Sequence, residues 1–311
     1  MMLRRTVRNK GWFLRLTFRS SPRLGVVFLL ALLLSLVGCG DQGQPGAQTQ
    51  PLVVTDLNFL ADVVRNVAGE AATVESLIPE DVDPHAFQAT PKDAHLLSQA
   101  SLLIINVKGL EPSLEELMRN VVGDRVPVVE AAEGIEGRLE DPHVWLDPLN
   151  MIIYTRNIVE ALSNLLPARA ALFRERAGHY NQELRELDEW IKEQVASIPA
   201  SKRLLVTNHE SLGYFAKRYG FTVVGAIFPT VSGEGSPSSR QLSALVEEIK
   251  KTGAPAIFLE VGDNLQLARQ IAAEAGVQLV TDLHIHSLGG EVRTYLDMMR
   301  WNVVRIVGAL R

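Results

Sequence analysis

The feature that most limits the possible folds is one long stretch of helical periodicity in the middle of the chain, residues 167–198. It has no proline after its first residue and a single glycine, and its apolar residues recur at helical spacing between charged ones: Leu172, Phe173, Tyr180, Leu184, Leu187, Ile191 and Val195. About 30 residues at 1.5 Å each form a helix on the order of 45 Å long. We therefore predict a rigid bracing helix that joins two lobes. The alternative is a helical hairpin within one lobe.

Short apolar runs alternate with helical runs on both sides of this stretch. Strands are predicted at 52–55, 74–78, 102–106 and 126–129 in the first half, and at 203–207, 221–227, 256–260 and 277–280 in the second. Helices are predicted between them, at 148–165, and from Glu291 to the end. Strands separated by such helices pair in parallel through crossovers. The predicted fold class is α/β, with an N-terminal lobe (52–166) and a C-terminal lobe (199–311), each a mainly parallel sheet flanked by helices.

The N-terminus predicts export from the cytoplasm. Residues 1–38 contain seven basic residues and no acid, and end in an apolar run at 24–37. That run is shorter than the roughly 20 residues that span a membrane, and the pattern is typical of a secretory signal. Residues 36–39 resemble a bacterial lipobox, in which Cys39 is lipidated and becomes the first mature residue. The alternative is an uncleaved anchor. Residues 39–51 are predicted to be a flexible tether, so the body lies outside the cytoplasmic membrane and is anchored to it.

The charge of the remaining chain limits its partners. The formal net charge of the whole chain is −5, and without the seven basic residues of the leader it is −12. Such an acidic surface disfavours nucleic acid and anionic lipid and is compatible with a cationic ligand. Because Cys39 is the only cysteine, the mature domain has no intramolecular disulfide and no thiolate metal ligand.

Five of the seven histidines follow predicted strands and lie in loops: His85, His143, His209, His284 and His286. Ligands of open parallel sheets bind at the carboxyl ends of the strands. Imidazole is the commonest metal-binding side chain near neutral pH, and three or four imidazoles satisfy tetrahedral zinc. His284 and His286 are separated by Ile285 alone, which makes joint binding of one ion geometrically awkward, so only one of them is expected to bind. We interpret the other two, His95 and His179, as surface or packing residues.

Two histidines occur in matching loops. His85 follows Asp-Pro at 83–84 and His143 follows Asp-Pro at 141–142, and each loop leads into a predicted helix. Proline restricts the residue before it to extended geometry, so each loop is expected to be stiff and to hold its imidazole in one direction. Two such loops suggest two imidazoles aimed at a common point.

These motifs carry a family resemblance that extends nearly from Leu52 to Arg311. The segments at 83–85, 90–93, 143–148, 208–210, 214–215 and 258–260 resemble those of the solute-binding lipoproteins of bacterial zinc and manganese ABC importers. The resemblance implies one metal between two lobes joined by a long helix, with two ligands from each lobe. It also implies a membrane permease as partner, and we expect the chain to be a monomer.

The resemblance implies His85, His143 and His209 as three of the four metal ligands. The fourth position is usually an aspartate just before a serine. Here His286 precedes Ser287, so His286 is the first choice and Asp282 or a water is the alternative. Glu260 and Asp147 are candidates to orient a ligand ring, although either could instead cap a helix or bond a loop.

The ligand types favour zinc over manganese, because imidazoles suit zinc, copper or nickel, whereas carboxylates suit Mn²⁺. A secreted zinc hydrolase is the competing hypothesis, with Glu210 as its candidate base. The chain lacks the His-Glu-x-x-His motif, and no catalytic residue is predicted. An adhesin role is neither supported nor excluded. Residues 233–235 contain no nucleotide-binding pattern and are expected to form a flexible loop, which could be a flap over the site.

Overall fold

The computed structural model describes residues 50–80, 82–232, 235–261 and 265–311. The predicted signal peptide, Cys39, most of the predicted tether and most of the predicted flap at 233–235 lie outside these residues. Within the described part, no helix is both long enough and apolar enough to cross a membrane.

The N-terminal lobe is a parallel four-stranded sheet with helices in its crossovers. In chain order it consists of β1 (Leu52–Thr55), α1 (Asn58–Ala68), β2 (Thr73–Ser76), α2 (Pro91–Gln99), β3 (Leu102–Ile105), α3 (Pro112–Val121), β4 (Val128–Glu130) and α4 (Met151–Leu165). The strand order is β2-β1-β3-β4, and every pairing is parallel. All four residues of β3 are buried, as expected for a strand covered on both faces.

The C-terminal lobe repeats this arrangement. It consists of β5 (Leu204–Thr207), α6 (Gly213–Tyr219), β6 (Thr222–Ala226), α7 (Ser239–Thr252), β7 (Ala256–Glu260), α8 (Leu265–Ala275), β8 (Gln278–Leu283) and α9 (Tyr295–Leu310). Its strand order, β6-β5-β7-β8, matches that of the first lobe, again with parallel pairing. The predicted α/β fold class is therefore confirmed.

A single helix, α5 (Ala170–Ala196), joins the two lobes after a short 3₁₀ turn at Pro167–Arg169. Its 27 residues give a length of about 40 Å. One face is buried against α1 and α4 of the first lobe and against α9 of the second. The helix is continuous, so the hairpin alternative is wrong, and the prediction of a bracing helix is confirmed.

Several predicted boundaries differ from the structure by a few residues, and the starts of two helices are among them. The last helix starts at Tyr295 rather than Glu291, because Thr294 caps it by accepting a hydrogen bond from the Asp297 N–H. Gly289 and Val292 exchange backbone hydrogen bonds in a tight turn before that cap. Helix α4 starts at Met151 rather than Pro148, because residues 144–146 form a 3₁₀ turn first.

An apolar core runs from one lobe into the other. The ring of Phe59 packs 5.2 Å from that of Trp145 and 6.3 Å from that of Tyr295, between centroids, and all three side chains are fully buried. The Trp145 indole donates to the carbonyl of Ile285, and the Tyr295 hydroxyl donates to the carbonyl of Trp145. Burying one such ring stabilises the fold by about 1.5–3 kcal/mol. These contacts lie beside His143 and His286, so the interface between the lobes is well packed next to both histidines.

Candidate metal centre

The two histidines of the N-terminal lobe are held by the same local device. The Asp83 carboxylate accepts a hydrogen bond from the His85 N–H at 2.9 Å, and the Asp141 carboxylate accepts one from the His143 N–H at 3.0 Å. In each loop the proline between them restricts the aspartate to extended geometry. The aspartate side chain thus accepts from the backbone N–H two residues later and closes an Asx-turn. This turn fixes the start of the loop.

Asp141 also reaches the ring of its histidine. Its Oδ1 lies 2.8 Å from Nδ1 of His143. A hydrogen bond from Nδ1 to a carboxylate fixes the imidazole tautomer and leaves Nε2 as the free acceptor. Sequence reasoning missed Asp141 as a ring partner. The signal that could have identified it is its position two residues before His143, in a loop that repeats the one at 83–85.

The two histidines of the C-terminal lobe come from different strand ends and share one carboxylate. His209 follows β5, His286 follows β8, and Glu260 ends β7, which lies between those two strands in the sheet. Glu260 Oε2 lies 2.6 Å from Nδ1 of His286, and its Oε1 lies 3.3 Å from Nδ1 of His209. One residue of the middle strand thus orients both neighbouring imidazoles.

The four rings converge at the seam between the lobes. The ligand atoms of His85, His143, His209 and His286 all lie within 4.8 Å of one another. Nε2 of His143 is 3.1 Å from Nε2 of His286 and 3.3 Å from Nε2 of His209. Two nitrogens bound to one tetrahedral zinc at 2.0–2.1 Å are about 3.3–3.4 Å apart. The cluster therefore has the size of a tetrahedral metal site.

Burial keeps three of these four imidazoles neutral. His143, His209 and His286 are buried, and His85 is half-buried. Burial, with a smaller contribution from neighbouring imidazoles, holds the pKa of His143 and of His209 well below the usual value, and burial lowers the pKa of His286 to about 4. Neutral imidazole is the form that binds a metal.

Trp145 and two partly buried carboxylates, Asp141 and Glu260, lie around the site. The Trp145 ring lies 5.2 Å from the His143 ring and 5.7 Å from the His286 ring, between centroids. Burial raises the pKa of Asp141 to about 6, and burial together with the charge of Asp83 raises the pKa of Glu260. A cation at the four nitrogens would offset the cost of burying these carboxylates.

The remaining predicted site residues lie elsewhere. The Asp147 carboxylate accepts from the Leu149 N–H and lies 3.6 Å from Arg218, so it serves the start of α4 and a contact between the lobes. The Asp282 carboxylate pairs with Arg305 at 2.7 Å. Neither residue is a member of the four-histidine cluster.

The three other histidines also lie outside the cluster. Nδ1 of His284 hydrogen-bonds the carbonyl of Ser287, and its ring packs against Trp301. The chain bends at 285–286, just after β8, and His284 is not a member of the cluster. His95 contacts Gln99 on the surface of α2, and His179 is exposed on α5.

Comparisons with known proteins agree with this fold. The model of the protein family described as the periplasmic zinc-uptake complex component A matches residues 53–309. The manganese-binding lipoprotein MntA of Halalkalibacterium halodurans is 32% identical over 292 residues, which cover 92% of this chain and 97% of that protein. The zinc-binding protein TroA of Treponema pallidum is 31% identical over 306 residues, covering 91% and 96%.

The solved structure of the periplasmic zinc-binding TroA superposes on this one with a TM-score of 0.76, at 30% identity, over 84% of this chain and 99% of that chain. The relatives include proteins named as metal or manganese ABC transporter substrate-binding lipoproteins. The chain therefore belongs to the zinc-uptake complex component A family and is the solute-binding component of a metal ABC importer, not an enzyme.

Proposed function

We propose that this protein captures one Zn²⁺ ion with His85, His143, His209 and His286 and delivers it to the membrane permease of its importer. The observation that carries the proposal is the convergence of four imidazoles whose ligand atoms lie within 4.8 Å of one another. Three of the rings have a carboxylate within 3.3 Å of Nδ1, which directs Nε2 into the cluster. Such partners raise ligand basicity and fix ring orientation.

The donor set supports zinc over manganese. All four candidate ligands are imidazoles, which suit zinc, whereas Mn²⁺ prefers carboxylate, carbonyl and water oxygens. Glu260 offers carboxylate oxygens, but both are directed at imidazole Nδ1 atoms. To bind the metal directly, Glu260 would have to give up its contacts with both imidazole rings.

The proposal also places the protein outside the cytoplasmic membrane. Residues 1–38 are the signal peptide, Cys39 carries the lipid, and residues 39–51 are the tether. The lobes comprise 52–166 and 199–311, with the linking helix at 167–198, and the protein acts as a monomer. Support comes from the leader sequence and from relatives named as lipoproteins or as periplasmic proteins.

Metal titration of the purified, metal-free mature domain tests the proposal. We expect one zinc ion per chain at submicromolar free metal, and in direct competition zinc should displace manganese. A matched series replaces each cluster histidine by alanine, with the exposed His95→Ala and His179→Ala as controls. Failure to bind zinc stoichiometrically, or equal losses in the control variants, would overturn the proposal.

Manganese is the second candidate, because MntA, a manganese-binding lipoprotein, is 32% identical to this chain. The two candidates differ at His286. Exchanging this imidazole for a carboxylate in His286→Asp should lower zinc affinity and shift the preference towards Mn²⁺. If the wild-type protein already prefers manganese in competition, the zinc assignment is wrong and the binding role itself remains.

A further inference from the structure

Gly213 opens α6 of the C-terminal lobe, and its Cα faces a carboxylate of the other lobe. A Cβ placed on Gly213 would lie 2.6 Å from Oδ2 of Asp141 and 3.8 Å from its Cγ. Apart from its chain neighbours and its own helix, no other heavy atom of the described residues lies within 4 Å of that position. Gly213 has helical backbone geometry, which alanine adopts without strain. The reason for a glycine here is therefore space and not backbone conformation.

The two oxygens of Asp141 face different lobes. Oδ1 accepts from the backbone N–H of His143 and lies 2.8 Å from its ring Nδ1, all within the N-terminal lobe. Oδ2 lies against Gly213 of the C-terminal lobe. The carboxylate that orients one candidate metal ligand is thus backed by the opposite lobe.

Further contacts hold α6 against the same segment. The Tyr214 hydroxyl donates to the carbonyl of Glu136 at 2.8 Å. One turn later, Arg218 lies 3.6 Å from Asp147 and forms two hydrogen bonds to Asp188 of the linking helix. Contacts before and after His143 therefore set how closely Gly213 approaches Asp141.

We propose that Gly213 is a positioning residue for metal binding: by admitting Asp141 Oδ2 against its Cα, it lets the closed lobes fix the orientation of the His143 ring. The inference rests on the proposed function of the four-histidine site. It means that part of the site's order depends on contact between the lobes at α6.

A methyl group at position 213 would displace the Asp141 carboxylate. A side-chain Cβ is essentially never found 2.6 Å from another heavy atom, so the carboxylate must turn or the lobes must separate slightly. Either adjustment weakens the hydrogen bond to Nδ1 of His143. Because Gly213 is exposed at the start of a helix and alanine has the higher helix propensity, the fold itself should not be destabilised.

The test compares Gly213→Ala with Gly178→Ala, a control on the linking helix where a Cβ meets no heavy atom within 4 Å. Zinc affinity is measured by chelator competition, and the His143 ring is followed by its ¹⁵N chemical shifts. We expect Gly213→Ala to weaken zinc binding by about threefold to tenfold, at or below the lower end of losses from outer partners of metal ligands. The Nδ1 signal should shift, the unfolding temperature of the metal-free protein should not fall, and Gly178→Ala should match the wild type.

A double-mutant cycle with Asp141→Ala separates this mechanism from a general structural effect. Once the oxygen that meets the new methyl is removed, Gly213→Ala should cause no further loss of affinity. An unchanged affinity in Gly213→Ala, or the same fold-loss with and without Asp141, would overturn the inference. If the wild type itself does not bind zinc, the proposed function has failed; if it binds zinc and the cycle shows no coupling, only the role of Gly213 is wrong.

Discussion

The two lobes contribute two imidazoles each to the same cluster but hold them in different ways. In the N-terminal lobe, His85 and His143 each have their own aspartate two residues earlier, so the support is local in sequence. In the C-terminal lobe, His209 and His286 have one shared partner, Glu260, which is 51 and 26 residues away. The aspartates of the N-terminal lobe are positioned by a turn two residues from their histidines, whereas Glu260 is brought to its two histidines by the folded sheet.

This difference determines how many candidate ligands are affected when one carboxylate is removed. Removing one aspartate disturbs one ligand of the N-terminal lobe and leaves its companion unchanged. Removing Glu260 disturbs both ligands of the C-terminal lobe, because each of its two oxygens serves a different ring. The N-terminal ligands should therefore behave independently, and the C-terminal pair should behave as a unit.

The largest effect is expected for Glu260→Ala. Loss of an outer partner typically lowers metal affinity by about 10–100-fold, and we expect the upper end of this range because two rings lose their orientation. Chelator competition measures the change, with the exposed Glu274→Ala on α8 as the matched control. A loss no greater than that caused by Asp141→Ala would contradict the shared-support interpretation.

Asp141→Ala comes next, with an expected loss of about tenfold, since one ring loses its partner. Its effect should be additive in free energy with that of Glu260→Ala if the two lobes support their ligands separately. The exposed Asp124→Ala is the control. Strong coupling between Asp141 and Glu260 in the double variant would show that the two supports act as one network.

The same contrast explains what the sequence could predict. The two lobes followed from strongly periodic apolar runs, and the paired Asp-Pro-His loops followed from turn chemistry within three residues. Asp147 was a candidate to orient a ligand ring, whereas Asp141, whose Oδ1 lies 2.8 Å from Nδ1 of His143, was missed. Glu260 was suggested only by family resemblance, because no local pattern connects the end of β7 to histidines that follow β5 and β8. His286 was the first choice for the fourth ligand because it precedes Ser287. In the structure, Asn302 of α9 fixes the chain beyond β8 by bonding the His284 backbone.

A buried glutamate of the N-terminal lobe, Glu111, contrasts with Glu260. Glu260 has two imidazole partners, whereas Glu111 in the N-terminal lobe is 2% exposed and its Oε1 has no hydrogen-bond partner in the described part of the protein. Burial, with the nearby charge of Asp56, raises the pKa of Glu111 well above its usual value. Between the unfolded pKa, about 4.3, and this raised value, the folded state binds more protons than the unfolded state. The stability contributed by this group therefore falls as pH rises through that window.

We expect Glu111→Gln to remove this pH dependence and to stabilise the fold at pH 8 by about 1 kcal/mol, the low end of the cost of an unsatisfied buried polar group. Denaturant unfolding at pH 5 and pH 8 measures the effect, and the exposed Glu116→Gln on α3, the helix that follows Glu111, is the control. The variant should retain some pH dependence from Asp56, whose pKa burial raises to about 7. A variant less stable than the wild type at both pH values would indicate that the Glu111 carboxyl has a partner after all.

The smallest effect is expected at Asp83, whose carboxylate accepts a hydrogen bond from the backbone N–H of His85. Asp83→Ala removes the hydrogen bond to the His85 N–H and the charge that raises the pKa of Glu260. Loss of a capping side chain costs about 0.5 kcal/mol at the low end, so zinc affinity should fall by roughly twofold. Asp83→Asn keeps an acceptor for the His85 N–H and removes the charge, and it should lie closer to the wild type if the turn matters more than the charge. If Asp83→Ala weakens zinc binding more than Asp141→Ala does, the predicted ranking of the two aspartates is wrong. The orientation of the half-buried His85 would then limit zinc affinity more than that of His143.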